Sequence, residues 1–571
     1  MTPERQLLHS IDRAAADAEV KLRGSWESER RVALIQLVRT MDLVGVASRP
    51  ESDSALRLEW LYLNGYPRAL RIFLDESTFK PGFPLLPGDL AQQRWAAAAL
   101  QQAGRIELFR RVLSWCRQGL ANLRARKDGA LEVLVASGAG VEAIEREDYV
   151  WLANLAGRIH EPAMQGLLER QAHIDDLMSP RVYPWRRHFI GYTTTREIDA
   201  HFQALGVLYS HHLVGQDSFP GEASFGGVPF DVYRATVATL VGWSMKHVRF
   251  CSLLKRKNPE TDLANVLTLA VRGDDLIRDV ADALDLEPEV ASTAIDVLVL
   301  GEGNVHPHYA ASSGAAPPLL AIGREFLLHS AHGWHSEPYM FMLAGLCRAY
   351  RGDWDRAVGL REGMFRSELY ELFKWSDVVM LSSGCKLRGE GRLLTDIDAV
   401  ILHRPTKTVG LFQLKWQDAF GASMQLRASR QANLQSETGR WLDNVSAWLS
   451  GKSDNEKARG LGLDRFGVHA VTDVEMFVLS RQFAHFSGSI ADARAAWGLW
   501  PQVLRLFENA IDHHRDGATD RRRLPAEMVS NPIRWLAESL RMDSPASRLP
   551  TLRIANEVAD LGGLRLVLRF A

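Results

Sequence analysis

The stretch that most constrains this chain is LLTDIDAVILHRPTKTVGLFQLKW, residues 393–416. Two runs rich in β-branched residues flank an Arg-Pro-Thr-Lys turn, a pattern that predicts two antiparallel strands in tight connection. Side chains along a strand alternate between faces. Asp396 and Asp398 therefore point one way, and Ile397, Ala399 and Ile401 the other. On the second strand Gln413 and Lys415 share a face, opposite Phe412, Leu414 and Trp416. Pairing across the turn at Arg404–Lys407 brings Asp398, Gln413 and Lys415 together at one edge of a sheet. Carboxylates, an amide and an ammonium on apolar strands are costly unless they share a task.

The surroundings predict how that edge is framed. A helix is expected from about 353 to 373, with Asp353 of GDWD capping its first turn. Three short strand segments follow as a meander, then a long helix over 423–450 and a strand at VEMFVLS, 474–480. Upstream, residues 1 to about 210 carry apolar residues at three- and four-residue spacing and read as helices. The segments 217–233 and 301–318, rich in Gly and Pro, read as loops or connections. The fold class expected is α+β and multidomain. A helical domain spans 1–210, and a second mainly helical or linker region spans 211–340. A domain with a central mixed sheet spans 345–510, and a C-terminal helix and strand at 511–571 pack on that domain.

Metal-assisted phosphodiester hydrolysis suits the residue types at the sheet edge. Mg²⁺ takes oxygen ligands, uses one or two carboxylates and keeps water, and a lysine beside it orients that water and offsets developing charge. The arrangement resembles the PD-(D/E)XK nuclease superfamily, with its restriction-endonuclease-like α/β fold. TDIDAV supplies the second-strand Asp, and Gln413-Leu414-Lys415 supplies the third-strand element, fifteen residues on. The resemblance covers about 350–490 and includes the order helix, three strands, helix, strand.

The resemblance implies that Asp398 is the principal metal ligand and Lys415 the catalytic lysine. Gln413 stands where an acid is commoner, as in some restriction enzymes acting on modified DNA, and an amide oxygen is the weaker ligand. The helix acid is Glu368, with Glu362 and Glu371 as competitors; Glu368 and Glu371 share a helical face. Asp398, Gln413 and Glu368 would hold Mg²⁺ or Mn²⁺, with Asp396 in support. Arg427, Arg430 and Gln431, on the following helix, would contact nucleic acid, DNA before RNA. The helical region would serve targeting, regulation, a protein partner or homodimerisation, as in bacterial defence or restriction-like effectors. The alternative is a non-catalytic nucleic-acid-binding or scaffold protein on a degenerate nuclease fold.

Composition excludes other classes. With 68 basic and 69 acidic residues, no whole-chain charge argues for a polyanionic partner. Local runs do: 101–128 holds seven Lys/Arg against two acids, and 246–257 holds five against none. Four scattered cysteines form no CxxC pair, which fits a reducing cytoplasm. No apolar run suits a signal peptide or a membrane span. His329, His332 and His335, with Glu337 nearby, have only a superficial metal-ligand spacing. His306 and His308 flank a proline in a loop.

Overall fold

A computed structural model describes residues 3–47, 52–82, 86–135, 141–305, 315–389, 391–418, 423–512, 526–545 and 557–570. The architecture is α+β, with a helical N-terminal region and mixed sheets. Helices Pro3–Arg23, Arg30–Ala47, Asp53–Phe73 and Leu90–Arg117 share one apolar core. Two of them touch backbone to backbone where Gly65 meets Leu100 and Gly104 meets Leu61, because a Cβ at either glycine would collide with a carbonyl oxygen. The same device recurs where Arg196–Ser210 crosses Phe230–Lys257: Gly206 lies against Ala238 and Gly242 against Phe202. Gly242→Ala is therefore expected to force these helices apart. It should lower stability by about 1–3 kcal/mol, the usual cost of overpacking, read as a fall in the denaturant midpoint. An unchanged midpoint would show that the crossing yields freely.

Several strands were not expected in the helical region. Ala121–Ala125 and Leu131–Val135 form a hairpin, as do Val182–Trp185 and Phe189–Tyr192. Residues 211–340 form more than a linker. Leu269–Arg272, Phe326–His329, Leu319–Ile322 and Val299–Leu300 make a four-stranded sheet beside the buried helix Phe230–Lys257. The C-terminal placement also differs from expectation. Helix Pro532–Met542 packs on the central sheet of the following domain through Ile533, Leu536 and Leu540. Strands Glu557–Leu561 and Leu564–Phe570 instead join the N-terminal hairpin, with Leu566 paired to Leu131 in parallel register. The hairpin edge at 131–135 offers unpaired backbone groups, and Leu566 and Leu568 complete the apolar face begun by Leu123, Leu131 and Val133.

The central sheet has the order Val378–Met380, Ala399–His403, Thr408–Lys415, Asp473–Ser480, Ala495–Leu499. The first three strands are antiparallel, and the last two pairings are parallel. Strand Thr408–Lys415 is buried on both faces nearly to its end, as a strand covered on both sides is. One face packs on helix Met424–Leu449 through Leu434, Trp441, Leu442 and Val445. The other packs on helix Arg351–Glu371 through Phe365 and Leu369, and on Trp500–Asp512 through Val503 and Phe507. Asp353, the expected helix cap, lies inside the first turn and accepts the Gly226 N–H.

The meander reading fails at two points. Its first segment divides into Val378–Met380 of the central sheet and Cys385–Gly389, which lies outside that sheet. The run 392–403 is two strands. Arg392–Ile397 pairs with Cys385–Gly389 in a hairpin that joins no larger sheet among the described residues, and Ala399–His403 joins the central sheet. Asp398 is the residue between them.

Candidate active site at the end of the central sheet

Asp398, Gln413 and Lys415 do converge. They line one cleft of about 750 Å³ with Asp396, Glu362, Arg361, Lys386, Glu437 and Arg440 among its walls. Asp398 is anchored by its own N–H, which donates to Phe412 O at 3.0 Å. Its Oδ2 accepts the Leu414 N–H at 2.6 Å and the Gln413 side-chain amide at 2.5 Å. No described donor reaches Oδ1. Lys415 ends its strand and reaches Glu437 of helix Met424–Leu449 at 2.8 Å. The free hairpin forms one wall. Trp441 Nε1 and Asn444 Nδ2 donate to the hairpin carbonyls of Asp396 and Leu394 at 2.9 and 3.0 Å and hold it in place.

The electrostatics are unbalanced at Asp398. Burial pushes its carboxyl up to about 7. The Leu414 N–H pulls the other way, Glu362 and Asp396 add repulsion, and Lys415 offsets part of it. A desolvated carboxylate facing further acids is the environment a hard divalent cation satisfies.

Glu368, expected as the helix acid, does not line this cleft. Its carboxylate is held by Arg481, which also binds Asp217. Glu362, six residues earlier on the same helix, lines the cleft and keeps an ion pair with Arg366 at 2.6 Å. Glu371 pairs with Lys374. The expected nucleic-acid contacts also move. Arg427 is buried at 4 % exposure and pairs with Glu142 at 2.5 Å, while also donating to Ser487 O and to the Gln431 amide oxygen. Arg427 and Gln431 thus form part of the seam with the helical region. Arg430 lies 3.6 Å from Asp418, off the cleft. Arg440 is the member of that helix's cations that lines it.

Two buried arginines that sequence reading missed tie the site to the segment 217–219. Arg361 donates to Ser218 O at 3.1 Å and to Asp418 at 2.6 Å, and its guanidinium lies 4.1 Å from the Phe219 ring centre. Arg481 stacks on Trp416 at 4.6 Å, and its N–H donates to Lys415 O at 2.8 Å. Burial alone would lower the Arg481 pKa, but Asp217 and Glu368 more than offset it and the pKa is raised. The segment read as a loop is therefore a strap across the back of the site.

The histidine cluster is desolvated in the interior of the helical region. Burial pushes His329 to about 3 and His332 and His335 to about 4. The backbone N–H of His332 donates to the buried Asp42 carboxylate at 2.9 Å. Among the described residues no group of three His, Cys, Asp or Glu side chains is placed to hold a metal. His306 and His308 lie outside the described residues. Among the described helices none is long and apolar enough to cross a membrane. No family model matches the chain, and neither a curated protein nor a solved structure matches it significantly.

Proposed function

We propose that the cleft hydrolyses phosphodiester bonds of nucleic acid, DNA before RNA, with Mg²⁺ or Mn²⁺, as a nuclease resembling the PD-(D/E)XK superfamily. The observation that carries this reading is the meeting of Asp398, Gln413, Lys415 and a helix carboxylate in one cleft at the end of a mixed sheet. Asp398, the Gln413 amide oxygen and Glu362 are the oxygen donors that would hold the cation, with Glu362 in the place expected of Glu368. When bound, the cation supplies Lewis-acid polarisation of the phosphoryl oxygen and a water of lowered pKa.

The chain's own residues do the rest. The Leu414 N–H and the Gln413 amide fix one Asp398 oxygen and leave the other for a ligand. Glu437 positions the Lys415 ammonium in the cleft, where it orients the attacking water and offsets charge as the transition state forms. Water adds to phosphorus, the P–O bond to the leaving nucleotide breaks, and the water proton passes to the leaving oxygen or to solvent. The helical region, strapped to the back of the site, serves targeting or regulation in a defence or restriction-like effector.

A second reading is a non-catalytic nucleic-acid-binding or scaffold protein on the same frame. It draws on Gln413 in place of an acid and on the neutralising Glu437 beside Lys415. Plasmid DNA, linear DNA and RNA incubated with Mg²⁺, Mn²⁺ or EDTA separate the two. The nuclease reading expects metal-dependent cleavage that falls at least about 100-fold in Asp398→Ala and Lys415→Ala, the scale of losing a main electrostatic or acid–base contributor. Binding without cleavage under any metal supports the second reading. Equal cleavage by wild type and both variants places the chemistry elsewhere.

A further inference from the structure

The hairpin Val182–Trp185/Phe189–Tyr192 of the helical region carries three features that its fold does not require. First, its turn is strained: Arg186 and Arg187 have φ of 47° and 67°. That is the left-handed region, which costs an L-residue with a long side chain and which Gly or Asn adopt readily. Second, two large aromatics are exposed on one face, Tyr183 at 50 % and Trp185 at 39 %. Tyr183 pairs across the ladder with Gly191, where any Cβ would strike its ring, and Trp185 pairs with Phe189. The missing side chain at Gly191 lets the Tyr183 ring lie over the opposite strand. The Arg186 guanidinium rests 4.5 Å from the Trp185 ring centre. Third, residues 179–196 contain Arg181, Arg186, Arg187, His188 and Arg196 and no acid.

The neighbouring helix adds to that charge. Phe230–Lys257 ends in Lys255-Arg256-Lys257, and Lys257 donates to Ser179 O at 2.7 Å and to Val182 O at 3.3 Å. This joins the basic run 246–257 to the base of the hairpin. Some of those cations are spent on the fold: Lys246 pairs with Asp199, and Arg249 and Arg256 with Asp175. Arg186 and Arg187 make no ion pair among the described residues, and both are exposed.

We propose that this hairpin is a second nucleic-acid contact, gripping a single strand away from the catalytic cleft. Tyr183 and Trp185 form a platform on which bases stack, and Arg186 and Arg187 hold the flanking phosphates. Aromatic faces accept any base, and arginines beside them take the backbone, the usual chemistry of strand binding without sequence choice. Backbone strain at the tip is retained because it projects two arginines beyond the platform. The proposal rests on the reading that the chain acts on nucleic acid, and it gives the helical region a task in delivering the strand.

The test uses full-length protein in EDTA, so that binding is read without cleavage. Labelled single-stranded DNA, single-stranded RNA, duplex DNA and phosphatidylserine vesicles are titrated across a salt series. Arg186→Asn with Arg187→Gly removes both charges and relieves the turn, so its melting temperature should stay equal or rise. Its affinity for single strands should fall at least about tenfold, and its salt slope should flatten by about 1.4. Trp185→Ala should weaken binding about tenfold with the salt slope unchanged. Wild-type affinity in both variants overturns the proposal, as does binding to vesicles but to no oligonucleotide. Cleavage separates this from the active-site reading. Asp398→Ala should bind strands like wild type and fail to cut. A wild type that binds through the hairpin and never cuts sinks the nuclease reading alone.

Discussion

A chain beginning at residue 345 is expected not to fold cooperatively, although it holds the entire central sheet. Three arginines in that portion have side chains less than 10 % exposed and take partners from the helical region: Arg361 from Ser218 and Phe219, Arg427 from Glu142, Arg481 from Asp217. Glu145, fully buried, accepts the N–H groups of Ala484 and His485 and the His485 ring. Removing one partner of a buried pair typically costs about 3–5 kcal/mol, because the other charge is stranded. Arg427 loses its carboxylate in this way, and although Arg361 keeps Asp418 and Arg481 keeps Glu368, the contacts to Asp217, Ser218, Phe219 and Glu145 go as well. Together these losses are comparable to the roughly 5–15 kcal/mol that holds a domain together. Far-UV circular dichroism and a urea melt of residues 345–571 would show a broad, non-cooperative transition, and a sharp one would refute the expectation. In the full chain, Glu142→Ala leaves Arg427 with only Ser487 O and Gln431. It should cost about 3 kcal/mol, read in the denaturant midpoint.

Asp398→Asn is expected to abolish cleavage and yet stabilise the fold at alkaline pH. Burial raises the Asp398 pKa from 3.8 to about 7 in the folded state. The native protein therefore holds the proton more tightly than the unfolded chain between those values. Stability is full below about pH 4 and falls as pH rises through 7. At about 1.4 kcal/mol per tenfold change in proton affinity, the loss is on the order of 4 kcal/mol. Asparagine carries no charge to desolvate and escapes it. Wild type and variant should melt together near pH 4 and diverge toward pH 8, with the variant higher. Millimolar Mg²⁺ should close that gap from the wild-type side, because only the carboxylate gains from the cation. Parallel melting curves across that range would show that Asp398 is solvated in the native state.

The trio Asp398, Gln413 and Lys415 was legible in the sequence because strand periodicity is rigid. Once two strands share a tight turn, parity decides which side chains meet. Which helix carboxylate lines the cleft was not, since Glu362, Glu368 and Glu371 all sit on one periodic helix and nothing local ranks them. The decision is made by Arg481, over a hundred residues later, which claims Glu368. Arg427 misled for a related reason. Its place on the helix after the motif is compatible with a nucleic-acid contact, and only the distant Glu142 shows it to be a buried tie. The break at Asp398 was invisible because the apolar run continues through it. Two strands of different sheets there read as one.

The pairing of Leu566 with Leu131 has a consequence for how the molecule is made. The first sheet of the chain takes its third strand from residues more than 430 positions downstream. While the ribosome is still adding the central domain, the edge at 131–135 has already emerged and has no neighbour. The nascent chain thus carries an open, apolar strand edge through most of its synthesis, a period in which it can recruit other strands or a chaperone. Completion of the N-terminal core must wait for residues 557–570, so a polypeptide stalled before them leaves its first sheet unfinished.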